Sequence, residues 1–416
     1  MEMIFRNASV KSRLRAISSK SEAHRFLICA ALGDKACRII CTDTNADIDA
    51  TVSCLNSLGA DIKRIGDVFT VEPIRKVICG QALDCNESGS TLRFMLPVAA
   101  ALGADCSFHM RGRLSQRPLS PLYEILSDNG VSLSPQGENP LNISGQLPSG
   151  DYSIAANVSS QYISGLIFAL SICEGRSSLT LEGKIESAPY IDLTVDALKA
   201  FGVKIEYVES DHRFEISGHD RLSSPKETVV GGDWSNAAFL LVAGAIGKNS
   251  VSVSGLDLSS RQGDREILAI LERMGACITY LDGEITVHPS KLTSTDIDAS
   301  QIPDLVPIIA TAASVASGTT RIYNAGRLRL KESDRIESVC ATLSALGADI
   351  ESTEDDMIIR GCESLVGGEV DSYNDHRIAM SAAVASLACE TEVKINRFEA
   401  INKSYPSFSD VWEIKD

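Results

Sequence analysis

Leu58-Gly59-Ala60-Asp61-Ile62 and Leu346-Gly347-Ala348-Asp349-Ile350 are the same five residues, 288 positions apart, which is four times 72. Three variants lie between them: Asn129-Gly130-Val131-Ser132-Leu133, Phe201-Gly202-Val203-Lys204-Ile205 and Met274-Gly275-Ala276-Cys277-Ile278. Each reads as an apolar helix stopped by Gly and followed at once by a strand. Gly suits that place because the residue after a helix end usually turns left-handed, a conformation that costs side-chain-bearing residues energy. Successive glycines are 71, 72, 73 and 72 residues apart.

A second, Ala-rich helix repeats in step. Its ends fall at Gly33, Gly103, Gly175, Gly247 and Gly318, with Glu390 in the sixth place, at intervals of 70, 72, 72, 71 and 72. Strand-like runs follow, such as residues 37–41, 178–181 and 250–253. Nine intervals that agree this well point to six copies of one unit, each with two helices and several strands. The sixth has no room for its second helix, because Glu390 plus the 26-residue offset from Gly33 to Gly59 reaches residue 416, the last. Such a period is too long for a solenoid of single hairpins and suits a small layered α/β unit. Three units fill a domain of ordinary size. The sequence therefore predicts an α/β protein of two similar domains, residues 19–230 and residues 1–18 plus 231–416. The boundary falls near the polar stretch that begins at Asp220, and the residues before Ser19 read as a strand completing the second domain.

Polar clusters stand about 13 residues before each of the six Ala-rich helix ends. They are Ser19-Lys20-Ser21, Ser88-Gly89-Ser90-Thr91, Ser159-Ser160-Gln161, Asp233-Trp234-Ser235-Asn236, Pro303-Asp304 and Asn374-Asp375-His376-Arg377. The other helix series carries Gln116-Arg117-Pro118, Ser187-Ala188-Pro189-Tyr190 and Lys331-Glu332-Ser333-Asp334-Arg335 at the same offset. Thirteen residues make a helix of about 20 Å, so every cluster is expected at a helix N-terminus, where free N–H groups and the dipole favour an anion. Plain N-capping accounts for Ser90, Ser235 and Asp304. It does not account for Lys20, Arg25, Arg93, Arg117, Lys331, Arg335, Arg377 and Lys403, since cations there oppose the dipole. A chain of net charge −16 that gathers cations at equivalent ends of repeated units is building a pocket for a polyanion. A ligand set carrying several negative groups, such as two phosphates and two carboxylates, would fit.

Bulk properties remove other classes. A hydrophobic content of 44% is that of a globular protein, and the longest apolar runs are short and broken by hydroxyl residues, so no membrane span is expected. The first residues lack the layout of a signal peptide. Twelve cysteines without a C-x-x-C pair suit reduced core thiols and a cytoplasmic location. The acidic balance argues against nucleic acid as partner. No metal-ligand spacing or dinucleotide glycine motif appears, so neither a metal nor a cofactor is expected.

The clusters, in this order from residue 19 to residue 403, resemble the substrate-binding motifs of the enolpyruvylshikimate-phosphate synthase family of enolpyruvyl transferases. The strings Lys331-Glu332-Ser333-Asp334-Arg335 and Asn374-Asp375-His376-Arg377 are the most specific. The resemblance implies βαβαββ repeat units, three to each domain, an inside-out α/β barrel, with the active site in an interdomain cleft that closes on binding. It implies transfer of the enolpyruvyl group of phosphoenolpyruvate to the 5-hydroxyl of shikimate 3-phosphate, in the shikimate pathway to chorismate and the aromatic amino acids. Carried over by motif, Lys20, Ser21, Arg25, Ser159, Ser160, Gln161, Ser187, Tyr190, Asp304 and Lys331 would bind shikimate 3-phosphate. Lys20, Gly89, Arg117, Gln161, Arg335, Arg377 and Lys403 would bind phosphoenolpyruvate. Asp304 and Glu332 would exchange protons, with Lys20 a competing donor and His376 in support. The expected partners are these two small molecules alone, bound by a monomer. Four features depart from the family pattern: Ile17-Ser18 replaces Pro-Gly, Glu87 and Arg327 replace Asn, and Ala188 replaces Lys.

Addition of a hydroxyl across an enol double bond, followed by loss of phosphate, takes one proton from oxygen and gives one to carbon. Two carboxyl groups in different surroundings suit that work. Asp304 is expected to accept the hydroxyl proton and Glu332 to protonate carbon, which requires burial or substrate charge to offset its cationic neighbours. The nearest alternative is the UDP-N-acetylglucosamine enolpyruvyl transferase, which typically carries a reactive Cys before its Arg-Pro motif. The loop from Met110 to Arg117 has none, and Cys106 reads as core.

Overall fold

The computed structural model describes residues 1–219 and 221–413, so Asp220 of the predicted boundary stretch lies outside the described residues. The chain divides into two compact units. One is continuous, Lys20–Val230; the other is split, Met1–Ser19 with Gly231–Asp416.

The repeat is plainest in the continuous unit. Strand Gln81–Asp84 leads into helix Gly89–Ala101, strand Cys106–His109, helix Leu122–Asp128, and then strands Val131–Leu133 and Leu141–Gly145. The first two strands pair parallel, with Gln81 opposite Cys106; the fourth strand pairs antiparallel to the second, and the third lies at the edge. The same order, first-second-fourth-third, recurs in the sheet built from Asp151–Ala155, Gly175–Glu182, Ile205–Val208 and Arg213–Gly218. In the split unit it recurs in the sheet of Ile297–Asp298, Thr319–Tyr323, Asp349–Ser352 and Met357–Arg360. Among the described residues no sheet closes on itself. A parallel pair needs a crossover helix, and the Ala-rich helix supplies it.

Two repeats take their first strand from a distant part of the chain. Arg13–Arg15 pairs parallel with Val251–Ser254, while Glu227–Val229 pairs parallel with Cys37–Ile40. Each of these strands therefore serves the repeat it does not directly precede. In the split unit Ser18 bridges Gly232 and the Ser19 N–H donates to the Gly231 carbonyl at 2.7 Å. The sixth repeat keeps Gly368–Asp371, helix His376–Ala385 and Val393–Asn396. In place of a second helix it has the 3-10 turns Phe398–Lys403 and Pro406–Val411, and Met3–Phe5 adds antiparallel to Val393–Asn396.

Beyond their polar starts the Ala-rich helices are largely apolar on every face and form the core of each unit. All ten residues of His376–Ala385 are buried, and in Gly89–Ala101 only Ser90 is not. Small residues let the helices touch backbone to backbone: a Cβ on Gly165 would lie 2.2 Å from the Arg93 carbonyl oxygen. The other helix series is half-buried, as in Ala188–Ala200, which turns Ile191, Val195 and Leu198 inward. The five glycines that end this series, at 59, 130, 202, 275 and 347, all have positive φ, between 80° and 113°.

Candidate active site

All six polar clusters of the Ala-rich helices stand at helix starts. The capping residues differ from those expected, however. Ser88, not Ser90, accepts the Thr91 N–H, and Asp233, not Ser235, accepts the Asn236 N–H. Both helices begin one residue after the true cap, which leaves Ser90 and Ser235 in the first turn with their hydroxyls available for side chains. Asp304 sits in a one-turn 3-10 helix, Pro303–Leu305, ahead of helix Val306–Ala313. Gln116-Arg117-Pro118 also departs from expectation: it leaves the 3-10 turn Leu114–Gln116 and precedes helix Leu122–Asp128 by several residues. The cis Ser120–Pro121 bond lies in that gap.

In the split unit three helix starts bring their charges together. Arg335, buried at the first position of helix Arg335–Ala345, donates from Nη1 to Asp304 Oδ1 at 2.8 Å and from Nη2 to Glu332 Oε2 at 2.7 Å. Its Nε donates to Asp375 Oδ2 at 2.8 Å, and Ser333 Oγ donates to the same oxygen at 3.1 Å. Arg377 reaches Asp304 Oδ2 at 3.3 Å, donates to the Asp304 carbonyl at 2.8 Å and to Ser235 Oγ at 2.6 Å. Lys331 Nζ lies 3.3 Å from Asp304 Oδ1. Lys403, at the end of its 3-10 turn, donates to the Asn374 carbonyl. Asp375 caps helix His376–Ala385 by accepting the Arg377 N–H, so one carboxylate both starts that helix and holds Arg335. The predicted residues Asp304, Lys331, Glu332, Arg335 and Arg377 thus form one connected cluster. His376 is buried beside it, with Nδ1 3.8 Å from Asp375 Oδ1.

Burial lowers the pKa of Lys331 below the ordinary lysine value, and the Arg335 and Arg327 charges add to that against Asp304 and Glu332. For Asp375, burial pushes the carboxyl up, but the charge and hydrogen bond of Arg335, with His376, together hold the pKa below the usual range. The expectation that clustered cations await an external anion needs an amendment here. Much of their charge already meets the protein's own carboxylates, Asp304, Glu332 and Asp375.

In the continuous unit Lys20 opens helix Lys20–Ala31, and its Nζ lies 2.9 Å from Asp47 Oδ2. Arg25 is buried; it donates to Thr194 Oγ1, the Ser21 carbonyl and the Tyr190 carbonyl at 2.9, 2.6 and 2.7 Å. Its partner in Tyr190 is therefore main chain, which ties the first helix to helix Ala188–Ala200. Ser187 stands before that helix with φ of 55°, and Ser159 caps Ser160–Leu170 by accepting the Gln161 N–H. Gln161 receives Arg93 Nη1 at 2.8 Å and donates to Ser90 Oγ at 2.9 Å. A Cβ on Gly89 would lie 2.7 Å from Arg117 Nη1 and 2.8 Å from Arg93 Nη1. Gly89, Gln161 and Arg117 are therefore neighbours, with Arg93 among them.

Four residues of this machinery were not singled out from sequence: Asp47, Ser333, Asp375 as a partner of Arg335, and Ser235 as a partner of Arg377. A signal for the first was available. Lys20 and Asp47 are 27 residues apart, and so are Asp304 and Lys331. That is close to the 26-residue offset between the two helix series, which sets the starts of both helices of a repeat side by side. The family departures are placed as follows. Arg327 Nη2 donates to the Ser300 carbonyl at 2.9 Å, Ala188 opens its helix, and the Glu87 carboxylate lies against Gly112. Cys106 is buried in a strand.

Comparison with known proteins adds independent weight. The sequence model of the family described as EPSP synthase (3-phosphoshikimate 1-carboxyvinyltransferase) matches residues 5–412. The chain is 42% identical over 417 residues to the 3-phosphoshikimate 1-carboxyvinyltransferase of Clostridium perfringens, covering 99% of this chain and 97% of that one. It is 41% identical to the enzyme of that name from Clostridium kluyveri, covering 97% and 94%. Among solved structures, EPSP synthase from Acinetobacter baumannii matches over the whole of both chains with a TM-score of 0.81 at 25% identity. The enolpyruvyl transferase NikO of Streptomyces tendae shares the fold, with a TM-score of 0.77 at 16% identity over 98% of this chain and 96% of that one.

Proposed function

The chain belongs to the EPSP synthase family, the 3-phosphoshikimate 1-carboxyvinyltransferases, and from that premise we propose which of its residues carry the reaction. The enzyme transfers the enolpyruvyl group of phosphoenolpyruvate to the 5-hydroxyl of shikimate 3-phosphate and releases phosphate. Lys20, Ser21, Arg25, Ser159, Ser160, Gln161, Ser187 and Tyr190, all of the continuous unit, bind mainly shikimate 3-phosphate, joined by Asp304 and Lys331. Phosphoenolpyruvate is held by Lys20, Gly89, Arg117, Gln161, Arg335, Arg377 and Lys403. The acid and base come from the split unit.

The observation that carries this reading is the surroundings of Asp304. One carboxylate meets Lys331 and Arg335 from the start of helix Arg335–Ala345 and Arg377 from the start of helix His376–Ala385. A substrate carboxylate or phosphate competes for those same cations, since Arg takes such groups at two points. Each cation the substrate recruits leaves Asp304 less neutralised and a better acceptor for the 5-hydroxyl proton. Glu332, on the same Arg335, delivers a proton to the methylene carbon, with Lys20 as the competing donor. The hydroxyl oxygen bonds to the enol carbon to give a tetrahedral adduct. Removing a methyl proton then re-forms the double bond as the carbon–oxygen bond to phosphate breaks. Neutralising and aligning the assembled anions supplies most of the acceleration. The reading is of a monomer in the cytoplasm, a reducing compartment that buried thiols such as Cys29 and Cys54 suit.

The test is Asp304→Asn, which keeps the shape and removes the base. Turnover should fall by about a hundredfold to ten-thousandfold, the usual worth of a general base, while equilibrium binding of shikimate 3-phosphate stays within a few-fold. Surviving activity would remove Asp304 from the base role.

A further inference from the structure

Outside the residues assigned above, the continuous unit holds a buried chain of hydrogen bonds with one direction. His24 Nδ1 lies 2.7 Å from Thr51 Oγ1, and Thr51 Oγ1 lies 2.8 Å from Thr91 Oγ1. The Thr91 hydroxyl donates to Ser88 Oγ at 2.8 Å and approaches the Asp47 carbonyl at 3.3 Å. All four side chains are at most 1% exposed. They belong to three helices, Lys20–Ala31, Ala46–Ser57 and Gly89–Ala101, the last through its cap.

A hydroxyl has a single proton, and that fixes the direction of every link. Thr91 spends its proton on Ser88, so it must accept from Thr51. Thr51 has then spent its own, so it must accept from His24. His24 is therefore the donor, with its hydrogen on Nδ1, and the lone pair on the buried Nε2 has no hydrogen-bond partner. A bare acceptor there costs less than a second buried N–H or a full charge would. Burial, and after it the charges of Lys20 and Arg25, hold the imidazole's pKa well below its ordinary value, in agreement with a neutral ring.

We propose that His24 is a positioning residue: as an Nδ1–H donor it heads a one-way hydroxyl chain that sets the starts of three helices in one register. Those starts carry Lys20, Asp47 and Gly89. The Thr91 hydroxyl packs 3.3 Å from the Asp47 carbonyl, and the Asp47 carboxylate holds Lys20. The functional consequence rests on the role given above to Lys20 and Gly89; the direction of the chain does not.

Two measurements on the whole enzyme test it. In 15N NMR, His24 should show a protonated Nδ1 and an unprotonated Nε2 throughout about pH 6 to 8, the range in which an ordinary histidine titrates. A hydrogen on Nε2, or a charged ring in that range, would overturn the proposal even if no variant folded. In the second, Thr51→Val removes the relaying hydroxyl at similar volume, while Thr51→Ser keeps it. The valine variant should lose about tenfold in kcat/KM for phosphoenolpyruvate, the worth of one buried hydrogen bond, and the serine variant should stay near wild type. Wild-type kinetics for valine, or equal losses in both, would refute the positioning role. If Lys20→Met leaves turnover unchanged, the site assignment fails instead, and the NMR result stands apart from that.

Discussion

Arg335 and Asp375 form a fully buried ion pair, Nε to Oδ2 at 2.8 Å, with side-chain exposures of 1% and 0%. The pair orients the guanidinium whose other two nitrogens reach Asp304 and Glu332, the proposed base and acid. Asp375 is thus placed to position the groups that exchange protons.

Asp375→Asn retains a side chain that caps helices well, so its effect isolates the lost charge. Breaking a buried pair by removing one partner costs about 3–5 kcal/mol, and the denaturant midpoint should fall accordingly. The pH dependence has a definite sign. Because the folded-state pKa of Asp375 is depressed, its contribution is fully present above the unfolded carboxylate value and is lost as pH falls through the folded one. Wild-type stability should therefore drop on acidification below the ordinary carboxylate range, and the Asn variant should show a flatter acid limb in the same titration.

Lys331 should lose its proton at lower pH than an ordinary lysine, because burial, Arg335 and Arg327 all disfavour its charge. Binding of shikimate 3-phosphate should weaken on the alkaline side before the usual lysine range is reached. Lys331→Arg keeps the cation at any working pH, so the alkaline limb of kcat/KM for shikimate 3-phosphate should move upward. An unmoved limb would assign it to another group.

Gly89→Ala places a methyl within 2.7 Å of Arg117 Nη1 and 2.8 Å of Arg93 Nη1. Both are the ends of flexible side chains, so they shift rather than break the fold, and Ala favours a helix over Gly by about 1 kcal/mol. The variant should melt no lower than wild type while KM for phosphoenolpyruvate rises about threefold, a loss of under 1 kcal/mol. A lower melting point with unchanged KM would show that Gly89 serves packing and not the substrate.

How much of this was legible in the sequence follows from the physics of each feature. The six repeats, and the clusters at the starts of the Ala-rich helices, could be read because a glycine stop and a helix of fixed length are local signals. The exact caps could not: Ser88 and Ser90 are equally good residues two positions apart, and only backbone geometry selects between them. The residues before Ser19 read as a strand completing the second domain, but the partner of Arg13–Arg15 and the pairing of Glu227–Val229 with Cys37–Ile40 were out of reach, because three residues carry too little pattern to decide. The cations were recognised, with Glu332 between two of them, but Asp304 and Asp375 were not read as their partners. Asp375 stood in the sequence only as part of a polar cluster; it caps its helix, and nothing local shows that it also receives Arg335 from 40 residues away.

Phosphate release from phosphoenolpyruvate, followed in parallel with shikimate 3-phosphate and with UDP-N-acetylglucosamine, bears most directly on the proposed reaction. Phosphate should appear with the first acceptor, one equivalent for each carboxyvinyl group transferred, and not with the second. No release with shikimate 3-phosphate, or release driven by the UDP-sugar, would contradict the account.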